Sequence, residues 1–303
     1  MKVIVIGAGM GGMSAAIALK RIGHEVEVYE QVVVNKPVGA ALTIWSNGVK
    51  CLNYLGLEQQ IAALGGPLEH MAYVDGLSGS VMSQFSLQPL VERVGQKPYP
   101  VSRAELQAML IEQFGPDHVH LGMKLMEVHD DGQQVTALFA DGSSASADLL
   151  IGADGAHSMV RSYVLGYQPP RRYAGYVNWN GLVTIDPAVA PDNQWTTFVG
   201  EGKRVSVMPT SDNRFYFFFD VPLPLGLPNE RDRYQAQLKD YFSGWAQPVQ
   251  DLIALIDPQT TNRVEVHDME PFMTWTRGRV ALLGDHTPKP VSYTHLTLPT
   301  IRL

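Results

Sequence analysis

Three glycines near the N-terminus have the spacing of a phosphate-binding loop. Gly7, Gly9 and Gly12 follow four β-branched residues at positions 3–6 and precede apolar residues at helical spacing at positions 13–22. In a strand–loop–helix unit the first glycine permits a tight turn, the second admits a pyrophosphate to the backbone, and the third lets helix and strand pack closely. The free amides at the helix N-terminus favour the phosphate charge. The pattern therefore predicts a dinucleotide site.

Acidic residues at the ends of three strands support this prediction. Glu30 ends the alternating stretch 25–30, roughly 20 residues after the glycines, where a carboxylate accepts hydrogen bonds from an adenosine ribose. Asp154 and Asp285 each stand beside a glycine after an apolar stretch. A strand that ends in an acid places the carboxylate at the carboxyl edge of a parallel sheet, beside the ligand crevice. Each aspartate alone is as typical of an ordinary turn.

The middle of the chain carries residues that suit a flat, anionic ring. Side chains alternate across a strand, so Asn178, Arg204 and Tyr216 each share a strand face with the residues two positions away. If the three strands are neighbours, their faces offer an amide, a guanidinium and a phenol beside aromatic surface. A solvated sheet edge is the alternative for Arg204, and a place in the apolar core is the alternative for Tyr216.

The elements that must position these residues predict an α/β fold. Ser102 and Glu105 form a capping-box pattern, which predicts a helix at 103–114. Asp141 and Gly142 predict a hairpin turn. The other predicted elements are strands at 135–139, 147–151 and 279–283, long antiparallel strands within 171–221, and helices at 231–242 and 248–256. We therefore predict a doubly wound Rossmann-type domain with an inserted antiparallel β-sheet domain.

The composition excludes several classes of partner. The chain has 303 residues and a net charge of −7, so it lacks the concentrated basic face that nucleic-acid binding requires. Cys51 is the one cysteine and cannot form an internal disulfide. No run approaches the ~20 apolar residues of a membrane span, and residues 3–6 are too few for a signal-peptide core, so we expect a cytoplasmic protein. His286 and His295 have no convergent acid or cysteine, and no metal site is predicted.

The glycine loop, Asp154 with Gly155, and Asp285 together resemble the pattern of the para-hydroxybenzoate hydroxylase-type (class A) flavoprotein monooxygenases. This resemblance implies a bound FAD. It implies that Asp285 contacts the ribityl chain, that Asp154 serves the pyrophosphate and the use of a nicotinamide cofactor, and that Arg103 contacts the flavin. The residues that the resemblance assigns to the ADP half of FAD are Gly7, Gly9, Gly11, Gly12 and Glu30.

Four segments, residues 172–181, 194–204, 214–220 and 257–263, are similar to the bacterial FAD-dependent urate hydroxylases, a group within that family. The similarity extends from residue 1 to about residue 285. It implies that Asn178, Arg204 and Tyr216 bind urate and that Arg204 and Tyr216 act in catalysis. Three further cofactor contacts are implied by position: Thr43 through its hydroxyl, and Gln31 and Leu125 beside the adenine.

The resemblance implies an NADH-dependent monooxygenase. NADH reduces FAD, O2 is consumed, and one oxygen atom goes to C5 of urate to give 5-hydroxyisourate. A hydroxylase of another aromatic acid, such as a salicylate-like or hydroxynicotinate-like substrate, is the alternative enzyme. The residues do not separate NADH from NADPH, and they leave the oligomeric state open, a homo-oligomer included.

We predict an FAD-binding domain at 1–72, 99–170 and 270–285 and a substrate domain at 73–98 and 171–269. Residues 286–303 are predicted to be a non-native tail, because the small-residue loop and glycine-rich turn of the family do not follow Asp285. From about residue 290 the run resembles a translated sequencing adapter. We therefore expect a chain that is cut short near its C-terminus. An inactive flavin-binding fragment is the alternative to an active enzyme.

Overall fold

The structure, a computed structural model, describes residues 1–33 and 41–284. Asp285 and the predicted tail at 286–303 lie outside the described residues. The helices are α1 (Met10–Arg21), α2 (Ser46–Tyr54), α3 (Glu58–Leu64), α4 (Gln88–Val94), α5 (Arg103–Phe114), α6 (Met159–Leu165), α7 (Tyr234–Tyr241) and α8 (Gln247–Leu255). The strands are β1 (Lys2–Ile6), β2 (Glu25–Glu30), β3 (Ala41–Ile44), β4 (His70–Asp75), β5 (Val81–Ser86), β6 (Tyr99–Ser102), β7 (Val119–Leu121), β8 (Leu125–Asp130), β9 (Val135–Phe139), β10 (Ser144–Ala147), β11 (Leu149–Gly152), β12 (Arg171–Thr184), β13 (Gln194–Gly200), β14 (Lys203–Thr210), β15 (Arg214–Pro222), β16 (Asn262–Met269), β17 (Thr276–Arg277) and β18 (Val280–Leu282).

The first sheet is parallel and carries the glycine loop. Its strand order is β17-β18-β11-β1-β2-β7, and neighbours are parallel except β17 and β18. Residues of β1 alternate between two cores: Val3 and Val5 pack with α1 and α5, whereas Ile4 and Ile6 pack with β8, β9, β10 and α6. Both faces of the strand are buried, which explains its continuous run of β-branched residues. Strands as well as a helix thus cover the second face.

The second large sheet has the order β16-β12-β15-β14-β13-β4-β5, and neighbours are antiparallel except β13 and β4. One face packs against α7 and α8 through residues such as Trp179, Phe217 and Phe219. Because side chains alternate along a strand, Asn178 and Tyr216 lie on the opposite face. Met208, which pairs with Tyr216, accepts the hydroxyl of Thr43 in β3, so this face is turned towards the first domain. The predicted α/β fold, a Rossmann-type domain with an added sheet domain, is confirmed.

Helix α5 begins where the capping-box pattern predicts. The Ser102 hydroxyl accepts the backbone N–H of Glu105 at 3.5 Å. The other half of the box is replaced, because the Glu105 carboxylate binds Arg214 in β15 at 2.7 Å. The residue that would close the cap instead ties α5 to the second sheet.

The predicted strand at 147–151 is wrong in one respect, because it is divided between two sheets. Ala147 ends β10, which pairs with β9, whereas Leu149 begins β11, which pairs with β1. Asp148 stands between them, and its carboxylate accepts the backbone N–H of Lys2 at 2.8 Å. This contact turns the chain from the small antiparallel sheet into the parallel sheet.

Candidate functional site

A cleft of about 470 Å³ opens at the carboxyl edge of the parallel sheet. Its size lies within the range of ~300–1,000 Å³ that is usual for ligand pockets. The predicted cofactor residues that line it are Gly7, Gly9, Gly11, Glu30, Gln31, Arg103, Leu125 and Asp154. The structure therefore places most of the predicted cofactor residues around one cleft.

Two of the glycines are required by close backbone contacts. Gly7 has a φ of +105°, and a Cβ atom there would lie 2.3 Å from the carbonyl oxygen of Ala153. A Cβ at Gly12 would lie 2.0 Å from the carbonyl oxygen of Gly7. Gly12 thus does not line the cleft; it packs α1 against the loop, as the third glycine of such a loop should.

Gly9 differs from these two glycines because it faces open space. A Cβ at Gly9 would meet nothing within 4 Å, and Gly9 precedes α1 with an extended backbone. With no side chain of its own, it cannot cap the first N–H groups of α1. Those groups lie at the positive end of the helix, where a phosphate binds favourably.

Glu30 holds the glycine loop in place. Its Oε2 atom accepts the N–H of Ala8 at 2.8 Å, and its Oε1 atom accepts the N–H of Val32 at 3.0 Å. The Gln107 amide of α5 donates to the carbonyl of Ala8 at 2.7 Å. Both the N–H group and the carbonyl group of Ala8 are thus held by hydrogen bonds. The role of Gln107 was missed by sequence reasoning, because nothing in a helix sequence shows which distant loop a polar residue contacts.

Asp154 caps the next helix at the same edge of the sheet. One carboxylate oxygen accepts the hydroxyl of Ser158 at 2.6 Å, and the other accepts the N–H of Met159 at 2.8 Å. Arg161 lies fully buried behind this loop and donates to the carbonyl of Ala156 at 2.8 Å. Burial lowers the pKa of the Arg161 guanidinium, and the nearby Asp154 carboxylate opposes that change. Asp154 therefore organises the loop that lines the cleft.

Thr43 lies where the first domain meets the second sheet. It is not among the described residues that line the cleft. Its hydroxyl donates to the Sδ atom of Met208 at 2.7 Å, so it joins β3 to β14 of the second sheet. Thr43 contributes to the seam between the domains, and its predicted flavin contact stays a prediction.

The three predicted substrate residues come together on one face of the second sheet. Strands β12, β15 and β14 are neighbours, and Asn178, Asp220 and Arg204 form one row across them. Arg204 Nε lies 2.8 Å from Asp220 Oδ2, and a second guanidinium nitrogen binds the same oxygen. Asn178 Nδ2 donates to the other oxygen, Oδ1, at 2.7 Å. Arg204 is therefore part of an ion pair and is not a solvated edge residue.

Tyr216 lies on the same face, two residues along β15 from Phe218. Burial raises the pKa of the Tyr216 phenol, the Asp220 carboxylate raises it further, and the Arg103 guanidinium acts in the opposite direction. The phenol is thus a neutral hydrogen-bond donor at physiological pH. The Arg103 guanidinium that acts on this phenol also lines the cleft.

Asp220 is the member of this face that sequence reasoning missed. It follows the aromatic run 215–219, and the residue is only 7% exposed. The available signal was the parity of residue numbers, since Asp220 shares its face with Tyr216 and Phe218. Only the register of β14 and β15 shows that it pairs with Arg204.

The fit to a dinucleotide cofactor rests on three observations of the described residues. The cleft has the required volume, the loop has a cradle at Gly7 and Gly12 that a Cβ would fill, and Gly9 leaves the N-terminus of α1 open. No group of three or more histidines, cysteines or acids among the described residues is arranged to hold a metal ion. Within the same residues, no helix combines the length and the apolar character that crossing a membrane needs.

Comparison with known proteins agrees with this geometry. The profile of the FAD binding domain family matches residues 1–291. The FAD-dependent urate hydroxylase of Klebsiella pneumoniae subsp. pneumoniae is 61% identical over 292 residues, which cover 96% of this chain and 76% of the relative. The FAD-dependent urate hydroxylase of Mycolicibacterium vanbaalenii is 59% identical over 287 residues, which cover 94% of this chain and 73% of the relative.

A solved structure is similar over the same extent. The crystal structure of Klebsiella pneumoniae HpxO complexed with FAD and uric acid superposes with a TM-score of 0.92 at 60% identity. The match covers 95% of this chain and 74% of that chain. The chain therefore belongs to the FAD-dependent urate hydroxylases of the class A flavoprotein monooxygenases.

Proposed function

We propose that this chain hydroxylates urate at C5 to give 5-hydroxyisourate, with FAD as bound cofactor and NADH and O2 as co-substrates. One structural observation carries the proposal: Arg204, Asp220 and Asn178 form a polar row on the sheet face that carries Tyr216, and Met208 of that face accepts the Thr43 hydroxyl of the first domain. The identity with named urate hydroxylases supports the same substrate.

The proposal divides the chemistry between cofactor and protein. FAD, when bound, supplies the redox chemistry that activates O2. The glycine loop, Glu30 and the N-terminus of α1 would hold its phosphates and ribose. The domains proposed for these tasks are residues 1–72, 99–170 and 270–285 for FAD, and 73–98 and 171–269 for urate. Strand β4, which begins at His70, already belongs to the second sheet.

The residues of the row suit a planar anion. Urate is anionic at neutral pH, and a guanidinium offers it planar, charge-assisted hydrogen bonds. Asp220 binds the same guanidinium and partly balances its charge before urate binds. The phenol of Tyr216 donates a hydrogen bond without carrying charge. We therefore propose that charge attraction holds urate at Arg204, while Asn178 and Tyr216 fix its rotation in the plane.

A ring screen tests the proposal. The chain is loaded with FAD, and NADH consumption is measured with urate, with salicylate and with 6-hydroxynicotinate. The full-length Klebsiella pneumoniae relative serves as positive control. The proposal predicts that urate alone accelerates NADH consumption and that 5-hydroxyisourate is formed.

Two results would contradict the proposal. Faster NADH consumption with salicylate or hydroxynicotinate than with urate would favour a hydroxylase of another aromatic acid. A yellow, FAD-containing protein that turns over none of the rings would favour a flavin-binding fragment without activity.

A further inference from the structure

Hydrogen bonds on the substrate-facing side of the second sheet converge on one acceptor, the carboxylate of Asp220. Arg204 of β14 donates to one of its oxygens, and Asn178 of β12 donates to the other. The series of hydrogen bonds continues from Asn178, whose side-chain Oδ1 atom accepts a hydrogen bond from Nδ2 of Asn180 at 2.6 Å. Nδ2 of Asn262 in β16 donates in turn to the side-chain Oδ1 atom of Asn180 at 3.3 Å. Four neighbouring strands are thus linked through side chains.

Asp220, at one end of this series of hydrogen bonds, decides which end of each amide donates and which accepts. An ionised carboxylate only accepts hydrogen bonds, whereas an amide has one end that donates and one that accepts. Asp220 therefore forces the NH2 group of Asn178 to face it. Asn178 must then present its carbonyl to Asn180, and Asn180 must present its own carbonyl to Asn262. If a group that also donates replaces the carboxylate, nothing forces the amides of Asn178 and Asn180 into these orientations.

We propose that Asp220 is a positioning residue for the substrate, because it fixes the direction of the Arg204 guanidinium and of the Asn178 amide before a ring binds. This inference rests on the proposed function of the site. Asp220 is nearly buried, so its two oxygens are held between the neighbouring strands and have little freedom to follow a ligand. Recognition then depends on the direction of donors and acceptors as well as on charge.

Asp220→Asn tests the orientation, because it replaces a group that only accepts hydrogen bonds with one that also donates. The substituted amide is close in size to the carboxylate, and Arg204 keeps its charge. One of the two donors, Arg204 or Asn178, now meets an NH2 group and must turn away. We expect kcat for urate to fall about tenfold or more, because one charge-assisted hydrogen bond is lost and the group that made it is no longer held in place. The dissociation constant of urate should rise by less than about threefold, because Arg204 keeps its charge and the carboxylate that partly balances it is removed.

A matched control lies in the same sheet. Arg172 and Asp268 form a cross-strand pair between β12 and β16, with Arg172 Nε 3.1 Å from Asp268 Oδ1. Asp268→Asn breaks an arginine–aspartate pair away from the row, at a more exposed arginine that also contacts Glu270. It should leave both kcat and urate binding unchanged. Equal effects of the two substitutions would overturn the positioning role, because general weakening of the sheet would then explain both.

A second variant covers the case in which Asp220→Asn does not fold. Asn180→Ala removes the donor to the carbonyl of Asn178 and leaves the Arg204–Asp220 pair intact. It should lower kcat, by a smaller factor than Asp220→Asn, again with little change in urate binding. Weaker binding at unchanged kcat in either variant would contradict the proposal.

A structural readout separates this inference from the function on which it rests. In a ligand-free crystal structure of Asp220→Asn, the Arg204 guanidinium or the Asn178 amide should leave its place in the row. An unmoved pair would overturn the role of Asp220 whatever the substrate is. If the parent protein neither binds nor hydroxylates urate, the proposed function is wrong, and the crystal structure still decides whether Asp220 orders the row.

Discussion

Arg214 of the substrate-facing sheet and Glu105 of α5 form an ion pair between the two domains, with Nη2 of Arg214 2.7 Å from Oε1 of Glu105. Glu105 lies two residues after Arg103, which lines the cofactor cleft. The pair therefore fixes the beginning of α5 relative to the sheet that carries Tyr216.

A double-mutant cycle measures this connection. Glu105→Gln and Arg214→Gln should each lower the free energy of unfolding, and together they should lower it by less than the sum of the two. We expect an interaction energy of about 0.5–1 kcal/mol, because both side chains are partly exposed to solvent. The exposed pair Arg233–Glu230 is the control and should give a smaller value. Additive effects of Glu105→Gln and Arg214→Gln in urea denaturation would show that the pair does not join the domains.

The glycine loop offers a test that separates folding from cofactor binding. Gly12→Ala should destabilise the fold, because the new Cβ would lie 2.0 Å from the carbonyl oxygen of Gly7. Gly9→Ala should fold normally, since a Cβ there meets nothing within 4 Å, but the methyl group would occupy the approach of a phosphate. Thermal unfolding and FAD titration of the two variants check this. Equal FAD affinity of Gly9→Ala and the parent would place the pyrophosphate elsewhere.

The buried phenol predicts a pH dependence. The pKa of Tyr216 is raised in the folded protein, so the folded state keeps the phenol neutral at pH values where an unfolded tyrosine ionises. Its contribution to stability is therefore complete below the usual tyrosine pKa of about 10 and is lost as the pH rises beyond it. Relative to Tyr216→Phe, the parent should lose stability above that pH in denaturation experiments. A phenolate difference spectrum that assigns Tyr216 an ordinary pKa would contradict this.

Much of the fold could be predicted because its signals are local. The glycine loop, the alternation of β2 and the cap of α5 each lie within about 15 residues of sequence, and the structure agrees with all three. The strand at 147–151 was predicted as one piece because Asp148 resembles an ordinary polar residue of a strand. Its contact with Lys2, at the other end of the domain sequence, decides that the strand divides.

The site was harder to predict because its contacts join distant residues. Alternation along β12, β14 and β15 correctly grouped Asn178, Arg204 and Tyr216, but parity alone does not give the register between strands. Asp220 and Gln107 therefore stayed hidden, although both make hydrogen bonds that shape the site. Arg204, which is predicted to bind an anion, already forms an ion pair with Asp220.

The Arg204–Asp220 ion pair predicts a larger loss of activity on substitution of Arg204 than on substitution of Tyr216. Arg204→Gln removes a charge-assisted contact and leaves the nearly buried Asp220 without its cation, whereas Tyr216→Phe removes a neutral hydrogen bond. We expect losses of ~1.5–3 kcal/mol and ~0.5–1.5 kcal/mol in transition-state stabilisation, respectively. Values of kcat/KM for urate provide the measurement. An equal loss in the two variants would mean that the charge of Arg204 has no part in binding.

Isotope labelling shows whether the chain transfers one atom of O2 to urate. The FAD-loaded protein is supplied with NADH, urate and ¹⁸O₂, and the product is examined by mass spectrometry as it forms. We expect 5-hydroxyisourate that carries one labelled oxygen atom, in an amount equal to the NADH consumed. Product without the label, or NADH consumption that yields only hydrogen peroxide, would contradict it.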